Sequence, residues 1–262
     1  MRKRERTLLL VGSGLLALAL LAGACAAKGP AQGGSTGRSQ ETTVVQAGAP
    51  ATSYDPKIDP ANFVRLVDNP LFPLKPGTVY ELQDKSSRGV EHETVTVTDH
   101  KKTILGVSTT VVEDVLKLHG QLEEKTSDWY AQDKQGNVWY FGEDTATYKN
   151  GKVDSREGSW KAGVHDARPG IIMNANPQVN DAYRQEYYRG HAEDMFWVID
   201  DHGSVQAPYG SFHNAVLTLE WTPLEPNVVS EKYYAPGVGL VAERDLAGGN
   251  EHFELVRVTR SG

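Results

Sequence analysis

The feature that most constrains this chain is a side-chain rhythm of two. Thr94-Val95-Thr96-Val97-Thr98 alternates strictly, and Val107 to Leu118 is rich in β-branched residues. Aromatic pairs and runs add to it: Trp129-Tyr130, Val138-Trp139-Tyr140-Phe141, Tyr187-Tyr188 and Tyr233-Tyr234. Successive side chains of a strand point to opposite faces, so alternation of this kind specifies a half-buried pleated surface. The punctuation suits hairpins. His119-Gly120 and Asp133 to Asn137 separate strand candidates, and Asn150-Gly151 sits between Thr145–Tyr148 and Lys152-Val153. Asn-Gly is a strong hairpin signal because a type I′ turn needs positive φ at both central residues.

These signals predict an antiparallel meander from about Thr78 to Trp160. A loop-rich stretch follows from Lys161 to Pro177, with Pro169-Gly170 read as a turn. Strands are expected again at Asp181–Tyr188, Glu193–Asp200, Phe212–Trp221, Val228–Tyr234, Gly239–Asp245 and His252–Val258. One helical turn is expected at Asn62–Val67, capped by Asp59 or Asn62. The predicted fold class is mainly β: a single antiparallel curved sheet, a half-barrel or barrel-like meander with little helix.

The N-terminus carries an address. Arg2, Lys3, Arg4 and Arg6 form a basic n-region, and an apolar run follows from Leu8 to Leu21. The run is shorter than the roughly 20 residues needed to span a bilayer. It ends in Ala22-Gly23-Ala24-Cys25, the anatomy of a secretory leader. The stretch resembles the lipobox of bacterial lipoproteins, with Ala22 where that family prefers Leu. The resemblance implies cleavage after residue 24 and a diacylglyceryl thioether on Cys25. The alternative is ordinary cleavage at the same small residues, with Cys25 incidental. Cys25 is the only cysteine, so it has no intramolecular disulfide partner, and a free thiol is a liability outside the cell. Lipidation resolves both points, and two or more acyl chains anchor stably.

Residues 26–53 are rich in Ala, Gly, Ser, Thr and Gln. Such a segment cannot bury enough apolar surface to order itself and reads as a tether. The expected organisation is a leader over 1–24, lipidated Cys25 and linker over 25–61, and one β-rich domain over 62–262, with order beginning near Tyr54 or Asn62. Of the 27 basic and 34 acidic residues, the leader holds four and one, which leaves the remainder net acidic by 10. That balance argues against a nucleic-acid partner and against electrostatic adhesion to an anionic lipid surface, and suits a domain held off the membrane by a tether. The expected location is the extracytoplasmic face of the cell membrane.

Several phrases together resemble a widespread family of bacterial secreted proteins and lipoproteins whose motifs carry no assigned chemistry. They are Asn69 to Gly77 (NPLFPLKPG), Asp128 to Asp133 with Gly136 to Asp144, Pro169 to Met173, and Tyr233 to Leu240 (YYAPGVGL). The resemblance spans roughly Asn69 to Asp245. More distantly, the first and last phrases are similar to β-rich envelope proteins of the lipoprotein-carrier, half-barrel type. That likeness implies a curved sheet with an apolar concave face and carries no function by itself.

Two groups of residues could carry chemistry. His191 and Glu193 share a face if extended, and with His165 and Asp166 could hold a divalent cation; the plain alternative is a solvated turn after Arg189-Gly190. Trp129, Tyr130, Trp139, Phe141, Glu143 and Asp144, with Asp128 beside them, are expected near one another across a hairpin. Aromatic platforms edged by carboxylates suit sugars or organic cations; the plain alternative is cross-strand aromatic pairing. No Gly-x-Ser-x-Gly elbow, phosphate loop or dinucleotide fingerprint is present. The expectation is therefore a lipid-anchored, non-catalytic envelope protein with no cofactor, holding an apolar or amphipathic small molecule. A structural or interaction module with an envelope-protein partner and a metal-assisted hydrolase are the alternatives.

Overall fold

The computed structural model describes residues 54–260 other than Ser87. The leader, Cys25 and the tether over 26–53 lie outside the described residues. What is described is almost wholly extended. The first five strands form the expected meander: β1 (Thr78–Ser86), β2 (Gly89–Ile104), β3 (Val107–Leu118), β4 (Gln121–Gln132) and β5 (Val138–Lys149). Short β6 (Lys152–Ser155) and β7 (Trp160–Lys161) pair with β5. Then come β8 (Arg168–Met173), β9 (Ala182–Arg184) and β10 (Glu186–Tyr187). A second meander closes the chain with β11 (Met195–Ala207), β12 (Gly210–Trp221), β13 (Val229–Ala235), β14 (Gly239–Ala247) and β15 (His252–Arg260).

All strands join one antiparallel sheet ordered β10-β8-β5-β4-β3-β2-β1-β15-β14-β13-β12-β11-β9. The hinge between the two meanders is the β1–β15 ladder, where Thr78 pairs with Arg260. The sheet ends, β9 and β10, are consecutive in the chain with Gln185 alone between them. The two edges therefore arrive at one place, and the sheet curls into a half-barrel. No ladder among the described residues joins β9 to β8 or β10, so it is an open curved sheet and not a closed barrel.

The turn chemistry explains the register. His119 and Gly120 have φ of 51° and 76°, and Asn150 and Gly151 have 54° and 73°, as two-residue type I′ turns require. Asp133 organises the β4–β5 turn. Its Oδ1 accepts the Gln135 and Asn137 backbone N–H groups at 3.0 and 2.9 Å, and its Oδ2 accepts Trp139 Nε1 at 2.9 Å.

Four local expectations change. The helical turn is a 3₁₀ segment at Pro60–Asn62, capped by Asp59, whose Oδ1 accepts the Ala61 N–H at 2.9 Å; proline at the start places it earlier than the apolar pattern suggested. The stretch from Lys161 to Pro177 contains strand β8. The Asp181–Tyr188 strand is split into β9 and β10, which pair with opposite ends of the sheet. Pro169-Gly170 is strand, not turn. Gly170 is required by a close approach: a Cβ there would lie 2.2 Å from the carbonyl carbon and oxygen of Gln185. A glycine inside a strand commonly marks such a contact.

The core follows the alternation. Val97, Phe141, Phe196, Val241, Phe253 and Leu255 are fully buried, and Tyr183 stacks on Phe196 at 4.7 Å between ring centres. Among the described residues no helix is long and apolar enough to cross a membrane.

Candidate functional site

The inner face of the half-barrel carries the site. Period-two alternation sends Tyr80 and Leu82 of β1, Val95 of β2, Val112 of β3 and Tyr130 of β4 inward. The same register brings in Glu93, Asp114 and Asp128. From the other meander come Lys232 and Tyr234 of β13 and Glu243 of β14. Together they line a partly open cavity of about 140 Å³. In the sheet, β3 and β4 are separated from β13 and β14 by β2, β1 and β15. Only the curl lets both meanders line one space.

The mouth is built from two phrases far apart in sequence. Phe72 sets its ring edge-on to Tyr130 at 5.2 Å. The Tyr80 hydroxyl donates to the Pro73 carbonyl at 2.9 Å, and the Gly237 N–H donates to the Pro70 carbonyl at 2.7 Å. Asn69, which is 3% exposed, fixes the first phrase. Its amide donates to the Gly136 and Asn174 carbonyls at 2.9 and 3.0 Å, and its Oδ1 accepts the Leu71 N–H at 2.8 Å.

The wall is apolar and the floor is acidic. Asp128 accepts a hydrogen bond from the Tyr140 hydroxyl at 2.6 Å, and the Tyr140 ring stacks on Tyr130 at 4.8 Å. Burial pushes the Asp128 carboxyl up to about 7, with the charge of Glu93 adding to it against the Tyr140 hydrogen bond. Asp114 is raised well above the usual carboxylate range by burial and by Glu93. Glu243 is pushed up to about 7 by burial, opposed by Lys232. Lys232 is the cation of the cavity wall. Its Nζ lies 3.1 Å from Glu220 Oε2 and 3.3 Å from Glu243 Oε1. Burial works against its charge, and Glu220, Glu243 and Tyr234 together outweigh that and hold the ammonium well above its ordinary pKa. Tyr234 donates to Glu220 Oε1 at 3.0 Å.

In a low-dielectric pocket such carboxyl groups accept hydrogen bonds strongly and favour a positive partner. Four acids line the cavity against one lysine. The lining is otherwise aromatic and aliphatic, which suits an apolar body with a hydrogen-bond-donating end.

The hairpin of β4 and β5 does bring the aromatic and acidic residues together, but on two faces. Tyr130 faces the cavity. Glu143 pairs with Asp128 across the ladder and is raised well above the usual carboxylate range by burial and by Asp128. Trp129 points the other way, beneath the Lys102 ammonium at 3.3 Å from its ring centre. Trp139 and Phe141 take Phe63 edge-on at 6.3 and 5.6 Å. Asp144 pairs with Arg156 at 3.0 Å on the surface. His165 and His191 both stack on Tyr188, at 6.5 and 4.3 Å. Glu193 accepts the Gly190 N–H at 2.8 Å and lies 3.8 Å from Arg184, while the Asp166 carbonyl accepts from Arg168 at 3.1 Å. Among the described residues, the acidic and histidine groups close enough to share an ion are Asp200, Asp201 and His202. They are at the surface, with His202 Nδ1 2.7 Å from Asp201.

Sequence reasoning missed Glu93, Asp114, Lys232 and Glu243 as lining residues. A signal was there. Glu93 shares its alternation with Val95 and Val97, and Asp114 stands between Val112 and Leu116 at spacing two. A charged residue on the apolar register of a strand is costly unless it is paired or hydrogen-bonded, so its presence there points to a site.

No protein-family model matches the chain, and no curated protein is similar to it at a significant level. Two solved structures are similar. One is named as an exported protein with a YmcC-like fold, from Bacteroides fragilis; it is 14% identical with a TM-score of 0.41, over 72% of this chain and 98% of that one. The other is named as a lipoprotein of Parabacteroides distasonis, 14% identical with a TM-score of 0.39 over the same shares.

Proposed function

We propose that this chain is a lipid-anchored, extracytoplasmic binding protein that holds a small amphipathic molecule in the half-barrel, with a protonated amine or similar donor turned to the floor. The observation that carries the reading is the cavity itself: an apolar wall over Asp114, Asp128, Glu93 and Glu243, reached by both meanders. Its volume of about 140 Å³ is close to that of an engineered apolar cavity of roughly 150 Å³ that takes up benzene. The enclosed part of the ligand is therefore a few heavy atoms across, and a longer tail leaves by the mouth. The leader and the lipobox-like Cys25 support the location.

Native mass spectrometry of the full chain extracted from its own envelope tests this. A bound species carrying a basic nitrogen is the expected result. Titration with simple alkyl amines supplies the second arm. Binding should tighten as pH rises through about 7, where the floor carboxyls lose their protons. Asp128→Asn should weaken it roughly tenfold or more, since a hydrogen bond to a charged group contributes about 1.5–3 kcal/mol. Protein that carries no adduct and ignores both amines and apolar dyes overturns the reading.

A further inference from the structure

The seam of the half-barrel is closed without a ladder across it. The segment from Ala182 to Tyr187 bridges the two sheet ends instead. β9 pairs with β11 over Ala182–Arg184, β10 pairs with β8 over Glu186 and Tyr187, and Gln185 stands between them. Strand pairs this short are weak by themselves. The segment crosses the inner side of β8. Gly170 lies opposite Tyr140 in the β5–β8 ladder, so a side chain on Gly170 would point inward with Tyr140. Backbone takes that space. A Cβ there would lie 2.5 Å from the Arg184 carbonyl oxygen and 2.2 Å from that of Gln185. The Tyr140 hydroxyl in turn holds Asp128 of the cavity floor at 2.6 Å. The segment therefore sits beside the acidic end of the cavity.

Its closed position is disfavoured from within. Gln185 is fully buried, and neither polar atom of its amide has a hydrogen-bond partner among the described residues. Glu186 is buried as well, and so is Asp194, whose backbone carbonyl accepts the Gln185 N–H at 2.9 Å. A buried polar group without a partner costs its full desolvation. Lifting the segment would return the Gln185 amide to water.

Tyr54 supplies the opposing hold from outside. Its hydroxyl donates to the Pro169 carbonyl of β8 at 3.0 Å. Its ring meets Tyr187 of β10 edge-on at 5.6 Å. The Arg184 guanidinium of β9 lies over both rings, 4.7 Å from the centre of Tyr187 and 5.9 Å from that of Tyr54. One side chain thus touches β8, β9 and β10 together. Two further contacts assist it: Arg168 pairs with Asp55 at 3.1 Å, and the Asn174 N–H donates to the Tyr183 hydroxyl at 3.3 Å.

We propose that Ala182–Tyr187 is a strap that lifts while both meanders stay intact, with Tyr54 as its latch. Lifted, the strap opens a side entrance to the cavity floor, away from the mouth at Phe72 and Leu240. Gln185 favours the open position and Tyr54 the closed one. The strap needs no particular ligand and stands whether or not the cavity takes amines.

Hydrogen exchange of the full chain, read by mass spectrometry at one pH and temperature, tests this. Backbone N–H groups over 182–187 should exchange faster than those over 89–118, because local opening exposes the strap while the meander waits for larger unfolding. Tyr54→Ala should speed exchange over 182–187 roughly fivefold or more and leave 89–118 unchanged. Tyr54→Phe keeps the ring and loses the Pro169 bond, so its rate should fall between the two; it also serves should the alanine variant misfold. Gln185→Met, which keeps an unbranched side chain and removes the amide, should slow the same exchange several-fold. Exchange over 182–187 that is the same in wild type and both Tyr54 variants overturns the latch. A rise shared equally with 89–118 overturns the strap as a separate unit. Unchanged or faster exchange in Gln185→Met overturns the part given to its amide.

Discussion

Gly237 donates its backbone N–H to the carbonyl of Pro70 at 2.7 Å. That bond ties the segment before the first strand to the turn between β13 and β14, and the mouth of the cavity lies beside it. The two family-like phrases, Asn69 to Gly77 and Tyr233 to Leu240, are thus one structural feature. Their shared work is to hold Phe72 and Leu240 at the opening.

Asn69 is the residue on which this arrangement turns. Asn69→Ala would leave the Gly136 and Asn174 carbonyls and the Leu71 N–H without their partner. Each unsatisfied buried group costs about 1–3 kcal/mol, and water can recover part of that, so a loss of roughly 2–4 kcal/mol is expected. Urea unfolding with an unchanged m-value and a lower midpoint would bear this out; a change within error would not.

Buried carboxyls, two of them on the cavity floor, make stability depend on pH. Asp128, Glu124, Asp194 and Glu243 are all pushed up to about 7, burial being the largest cause in each. Below about pH 4 they are protonated in both native and unfolded chains. Between about pH 4 and 7 the unfolded chain releases these protons while the native chain keeps them. Native protein then binds more protons, and stability falls as pH rises. The thermal midpoint should therefore decline from mildly acidic to mildly alkaline pH, and Asp128→Asn, which still accepts from Tyr140, should flatten part of the decline. A midpoint that rises over this range would contradict the raised carboxyls.

Lys232 is held between two buried acids. Lys232→Met removes the cation and leaves Glu220 and Glu243 facing each other in an apolar wall. Breaking a buried pair in this way costs roughly 3–5 kcal/mol. Adding Glu220→Gln and Glu243→Gln should return most of the loss, because the uncompensated charges go with them. Calorimetry of the single and triple variants separates this charge effect from simple loss of packing, which the triple variant would not repair.

Gly170→Ala tests the closing of the half-barrel. The added methyl meets the Gln185 backbone, not a yielding side chain, at the point where the two edges of the sheet arrive. Forced displacement of packed groups typically costs about 1–3 kcal/mol, and the upper end is expected here. For a domain of this size that lowers the thermal midpoint by roughly 6–12 °C. A midpoint unchanged by the substitution would mean that the seam is loose.

Much of this was legible in the residues. Alternation with type I′ turns specified the antiparallel meanders, and Asn150-Gly151 and His119-Gly120 fell where expected because their φ preferences are local. The strand after Arg168 was hidden because Pro-Gly normally marks a turn; its glycine is there for a contact with Gln185 that no local rule reveals. The aromatic and acidic residues of β4 and β5 share one hairpin, yet alternation divides them between the cavity and the outer face.

The sequence by itself determined the acid excess and the strand-rich class, since each depends on composition or on neighbours in the chain. The tertiary structure decided which acids share a space. Glu93, Asp114 and Asp128 come from one meander, Lys232 and Glu243 from the other. Their meeting depends on the accumulated twist and curl of the whole sheet, a property of strand order and register rather than of any segment.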